Sequence, residues 1–137
     1  GISANMRVLD VGGGIGGAAR TLAHTFGCAV TVLDLTKSYC QTGELLTASM
    51  GLSDQVNFRH GSALEMSFAE ASFDVVWTQH SSMNIADKAR LYAEIGRGHS
   101  LGSKQKGRNS WRRVCDQGLH RPPRHSRRWQ ARHCARL

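Results

Sequence analysis

Several features that would send this chain to a membrane, a metal or an oxidising compartment are missing. No apolar run reaches the length a helix needs to cross a bilayer, and the opening Gly1-Ile2-Ser3-Ala4-Asn5-Met6 is not a signal peptide. The four cysteines, Cys28, Cys40, Cys115 and Cys134, have neither metal-ligand spacing nor the density of a disulfide scaffold. That predicts a reducing, cytoplasmic setting with no metal site and no membrane span. Position 1 is not Met, which points to a fragment. From His99 to Leu137 there is no Ile, Phe, Tyr or Met. Such a stretch cannot bury enough apolar surface to offset its ordering entropy.

The net charge of +8 is unevenly spread. Residues 1–96 carry six Lys/Arg against nine Asp/Glu, whereas residues 97–137 carry twelve against one, Asp116. Two kinds of sequence therefore meet near Arg97. The expectation is a folded core over 1–97 and a basic, disordered segment over 98–137.

Within the core, apolar patterning alternates between strand and helix. Arg7–Val11 reads as a buried strand, and Gly17–Phe26 as a helix with Ala18, Ala19, Leu22, Ala23 and Phe26 at helical spacing, stopped by Gly27. Ala29–Leu35 is a second β-branched run. A helix capped by Thr36 or Ser38 follows, carrying Leu45, Leu46 and Met50 and closed by Gly51. Gln55–His60 and Phe73–Trp77 read as third and fourth strands, and Asp87 caps a helix bearing Leu91, Tyr92 and Ile95. This order predicts a parallel sheet covered by helices on both faces, with ligands at the carboxyl ends of the strands.

The first strand runs into Gly12-Gly13-Gly14-Ile15-Gly16-Gly17. Glycines there let bare backbone approach a ligand, and the helix behind them aims its amides at it. Two fingerprints overlap. Gly12, Gly14 and Gly17 fit the dinucleotide pattern G-x-G-x-x-G, with Asp34 at a suitable distance for a ribose. Asp10, Gly12, Gly14 and Gly16 fit D-x-G-x-G-x-G, the loop of class I S-adenosylmethionine methyltransferases. Asp10 discriminates between them, because a carboxylate before the loop repels a pyrophosphate and suits the ammonium of an amino-acid-bearing cofactor.

The later segments His60-Gly61-Ser62-Ala63-Leu64, Phe73-Asp74-Val75-Val76-Trp77 and Thr78-Gln79-His80 follow in the order of that family. From about Arg7 to Arg97 the chain resembles its small-molecule members, the quinone, tocopherol and sarcosine/glycine types. The resemblance implies a partial Rossmann-like α/β sheet with strand order 3-2-1-4 and S-adenosylmethionine as cofactor. It also implies methyl transfer to an N, C or O atom of a small molecule. By the same resemblance Asp10, Gly12, Gly14 and Gly16 border the methionine part, Asp34 holds the ribose and Leu35 packs on the adenine. Ser62 and Ala63 face the adenine edge, and Gln79 lies beside the methionine end. Ser62 stands where many relatives have Asp, so the adenine amino group would meet a hydroxyl instead of a carboxylate. His80 is the candidate general base, since imidazole titrates near neutrality. The competing role for His80 is to shape the acceptor pocket.

After Glu94-Ile95-Gly96-Arg97 the resemblance stops, because Gly98-His99-Ser100-Leu101-Gly102 does not match the Arg-Val-Leu-x-Pro-Gly-Gly turn of relatives. No later segment reads as the missing strands. The expectation is a truncated or frameshifted, impaired chain whose fourth strand lies on an open edge. The alternative is a nucleic-acid-binding or nucleic-acid-modifying protein. In it Arg112, Arg113, Arg121, Arg124, Arg127, Arg128, Arg132 and Arg136, with Trp111 and Trp129, would contact phosphates and bases. Any such segment binds polyanions non-specifically.

Overall fold

A computed structural model describes residues 1–99 and the pair 115–116. The central strand, β1 (Arg7–Val11), is buried from Val8 onward because it is flanked on both sides. It pairs in parallel with β2 (Ala29–Asp34) and with β4 (Val75–Thr78), while β3 (Val56–His60) adds outside β2. Residues along β1 alternate between faces, so each face of the sheet has its own core. Val8, Val30, Val32 and Val56 pack with Ala19, Leu22 and Ala23 of helix α1 (Gly17–Phe26). Leu9, Val11, Leu33 and Val76 pack with Leu91 and Ile95 of helix α3 (Lys88–Gly98) on the other face. Helices therefore cover both faces, in the predicted strand order 3-2-1-4.

One expectation about the sheet edge is corrected. A two-residue strand, β5 (Cys115–Asp116), lies parallel to the end of β4, with Trp77 opposite Cys115 and Thr78 opposite Asp116. At the other end Phe73 forms an isolated parallel bridge with His99. Pairs this short carry no alternation for a sequence pattern to register. The disorder predicted for 98–137 otherwise lies outside the described residues, as does the Arg/Trp-rich stretch.

Helix α2 (Lys37–Ser49) departs from its apolar pattern. Leu45 and Met50, expected to face the core, are 74% and 59% exposed, and the buried residues are Cys40, Gly43 and Thr47. The Phe58 ring explains the inversion. It fills the space where a Cβ on Gly43 would stand, 2.3 Å from its Cε1, and where one on Gly16 would stand, 2.5 Å from its Cζ. Only a helix face of small residues can approach so closely. Thr36 occupies the N-cap of α2 without a side-chain capping bond, whereas Asp87 caps α3 by accepting from Arg90 N at 2.9 Å. Gly27, at φ +68, ends α1 in the left-handed conformation, its N–H donating to Ala23 O.

Two arginines join elements. Arg20 is buried and donates to Ile15 O at 2.6 Å and Thr47 Oγ1 at 3.3 Å, tying α1 to α2 and to the glycine turn. Arg97 donates to Met66 O at 2.6 Å and to Glu94 Oε2 at 2.8 Å, and also to Phe68 O. Glu94 Oε2 in turn accepts from Met66 N, so the β3–β4 connection is pinned to α3. Among the described residues no helix is long and apolar enough to cross a membrane, and no cluster could hold a metal ion.

The Phe58 wedge is testable. Ala in place of Gly in a helix normally stabilises by about 1 kcal/mol. Gly43→Ala should instead destabilise by roughly 1–3 kcal/mol in urea unfolding, the cost of overpacking a core. A stabilised variant would show that the ring is free to move aside.

Candidate functional site

The strand order reverses beside β1, where successive connections leave in opposite directions, and the carboxyl ends of β1, β2 and β4 open into one cleft. The cleft has a volume of about 740 Å³. Gly12, Gly14, Asp34, Leu35, Ser62, Ala63, Gln79 and His80 line it, joined by Tyr39, Ser81, Asn84 and Ile85. Eight of the ten residues singled out in the sequence thus meet at one place. Asp10 and Gly16 lie outside that wall.

Gly12, Gly14 and Gly16 have φ of +71, +58 and +79, which side chains disfavour. Their surroundings differ. A Cβ on Gly14 would meet nothing within 4 Å, so this glycine leaves open space toward the cleft. Gly16 is the N-cap of α1 and packs on Phe58, a structural task. Gly13, which neither fingerprint requires, sits so close to β1 that its Cβ would lie 2.5 Å from Asp10 Oδ2.

Asp34 reaches across from β2. Its Oδ2 accepts from Gly14 N at 2.9 Å and its Oδ1 from Thr36 N at 2.8 Å. A carboxylate offers about four acceptor positions, so capacity for ribose hydroxyls is left. Leu35, beside it, is 71% exposed within the cleft, an apolar surface left uncovered among the described residues. His60 contributes indirectly, its Nε2 lying 3.0 Å from Leu35 O. Ser62 Oγ accepts from Leu64 N at 3.1 Å, which leaves its O–H to donate.

Asp10 is 1% exposed, and its Oδ2 has no hydrogen-bond partner among the described residues. Burial pushes its pKa from 3.8 up to about 7, and the nearby Asp34 carboxylate adds to the rise. It lies under Gly13 of the glycine turn and is not part of the cleft wall. On the opposite side, Gln79 and His80 are exposed, and His80 holds φ +59.

These residues fit an amino-acid-bearing nucleoside. There is a glycine turn with open space at Gly14, an acid whose carboxylate meets that turn, an exposed leucine in the cleft, and beneath the turn a buried acid whose Oδ2 has no partner among the described residues. Residues 8–99 match the model of the family described as a methyltransferase domain. The chain belongs to that family. It is 40% identical over 96 residues to the glycine/sarcosine/dimethylglycine N-methyltransferase of Actinopolyspora halophila, covering 70% of this chain and 17% of that protein. It is 33% identical over 98 residues to the chloroplastic tocopherol O-methyltransferase of Arabidopsis thaliana, covering 72% and 28%. A geranyl diphosphate methyltransferase solved in complex with S-adenosylmethionine superposes with a TM-score of 0.70 at 26% identity, over 74% of this chain and 40% of that one. The chain thus spans under a third of these two curated relatives.

The state of Asp10 has a pH signature. Its carboxyl binds a proton more tightly folded than unfolded, so stability is greatest below the unfolded value and falls as pH rises from 3.8 to about 7. Asp10→Asn should flatten that slope. At pH 8 it should stabilise the ligand-free protein by at most roughly 4 kcal/mol, at 1.36 kcal/mol per pKa unit. Urea unfolding of both proteins across this range decides it, and parallel pH profiles would place the titration elsewhere.

Proposed function

We propose that this domain binds S-adenosylmethionine in the cleft and serves methyl transfer to an N, C or O atom of a small molecule. The observation that carries the reading is the turn at Gly12–Gly14, anchored by the Asp34 carboxylate and opening onto the cleft at the strand ends. The cofactor supplies an electrophilic methyl group on a sulfonium. Gly12 and Gly14 border its methionine part, with the Asp10 charge beneath complementing an ammonium. Asp34 accepts hydrogen bonds from the ribose hydroxyls, Leu35 packs on the adenine, and Ser62 and Ala63 meet the adenine edge. Gln79 stands beside the methionine end.

Transfer from a sulfonium to a ready nucleophile needs mainly alignment and exclusion of water. Accordingly His80 shapes the acceptor end of the cleft, and it is not the essential base. One relative is an N-methyltransferase and the other an O-methyltransferase, in keeping with a shared cofactor half and a variable acceptor half.

Titration calorimetry on the full chain should show S-adenosylhomocysteine binding and no measurable binding of NAD. Asp34→Ala should weaken binding by ~1–3 kcal/mol, the worth of hydrogen bonds to a charged group. Equal affinity in both proteins would remove Asp34 from the site. Once an acceptor is in hand, His80→Ala should slow turnover by less than roughly the hundredfold expected of a lost general base. A larger loss, with one limb of the pH profile gone, would assign His80 that role.

A further inference from the structure

The turn after β4 adopts an uncommon backbone conformation. His80 sits at φ +59, which residues with a side chain adopt rarely, and its side chain is exposed among the described residues. The next residue supplies the restraint. Ser81 Oγ donates to Val11 O at 2.7 Å and shares a hydrogen bond with Thr78 Oγ1 at 2.8 Å. Thr78 is itself 1% exposed at the end of β4, so this anchor is fixed. Ser81 O accepts from Asn84 N at 3.1 Å, which starts the following 3₁₀ turn, Ser82–Asn84.

The same side chain meets the glycine turn. A Cβ on Gly12 would stand 2.3 Å from Ser81 Cβ and 2.5 Å from its Oγ. One small hydroxyl residue therefore joins the end of β1, the end of β4 and the first glycine of the β1–α1 turn. A side chain at position 12 would collide with Ser81 and push the two turns apart.

We propose that Ser81 is a positioning residue that locks the Gln79–His80 turn against the glycine turn, setting the acceptor end of the cleft relative to the cofactor end. The inference rests on the cofactor reading above only for its ligand-binding consequence.

Three measurements on the full chain test it. The first is a double-mutant cycle in urea, which needs no ligand. Gly12→Ala and Ser81→Gly should each destabilise, the first through the collision and the positive φ, the second through the lost hydroxyl, and the double variant should be less destabilised than the sum of the two because the colliding Cβ is gone. Additive effects would overturn the steric lock. The second uses Ser81→Ala, which keeps the Cβ and loses the hydroxyl. The Cα and Hα NMR shifts of His80, which report its backbone conformation, should move away from left-handed values. A role in stability alone would leave them unchanged, and unchanged shifts overturn the positioning role. The third is calorimetry, where Ser81→Ala should bind S-adenosylhomocysteine roughly three- to tenfold more weakly, the worth of one or two hydrogen bonds. Wild-type affinity in the variant counts against the proposal. No binding to the wild type would sink the cofactor reading instead, while the first two measurements still judge the lock.

Discussion

The turn from β1 into α1 has almost no room for side chains, and the rest of the site is packed around that constraint. Gly12 faces Ser81 from the β4 loop, Gly13 lies on the Asp10 carboxyl, and Gly16 meets the Phe58 ring of β3. Each of these three glycines is pressed by a different strand or its loop, so the turn acts as the joint where β1, β3 and β4 converge. A Cβ on Gly14 or Gly17 would meet nothing within 4 Å. A glycine-rich loop is usually read as a surface for a ligand. Here three of its five glycines also bring protein parts together.

Two carboxylates bracket that turn in different surroundings. Asp34 Oδ2 and Oδ1 each accept from a backbone amide. Asp10, on the neighbouring strand, is buried, its Oδ2 has no partner among the described residues, and burial pushes its pKa up to about 7. The contrast follows from depth. Asp34 stands at the carboxyl end of β2, in the cleft wall, whereas Asp10 lies inside the central strand, opposite Val32 and Trp77. A buried acid in this condition destabilises the protein while nothing cationic is near.

Much of the fold was legible because the central strands are buried on both faces and the helices have local stop signals. The bounds of β1 and α1 follow directly from the apolar run, the glycines and Gly27. Asp87 is recognisable as a cap from its place before Leu91 and Ile95. Helix α2 was misread in one respect. Leu45, Leu46 and Met50 suggest a core-facing stripe, but the helix turns its small residues inward because Phe58, distant in sequence, needs the space. The short β5 and the bridge at His99 were likewise illegible, since a pairing of one or two residues leaves no periodic trace.

Sequence alone determined the strand–helix order, the family, and which residues would gather at the strand ends. Those depend on period, on local turn chemistry and on motif spacing, all of which are properties of neighbours along the chain. Only the tertiary structure decided how each gathered residue stands. It put Asp10 beneath the turn and Asp34 in the cleft, gave Gly16 to packing, and drew Ser81 and His60 in beside the site. Distances between side chains on separate strands follow from register and close packing, which arise only when the sheet has assembled.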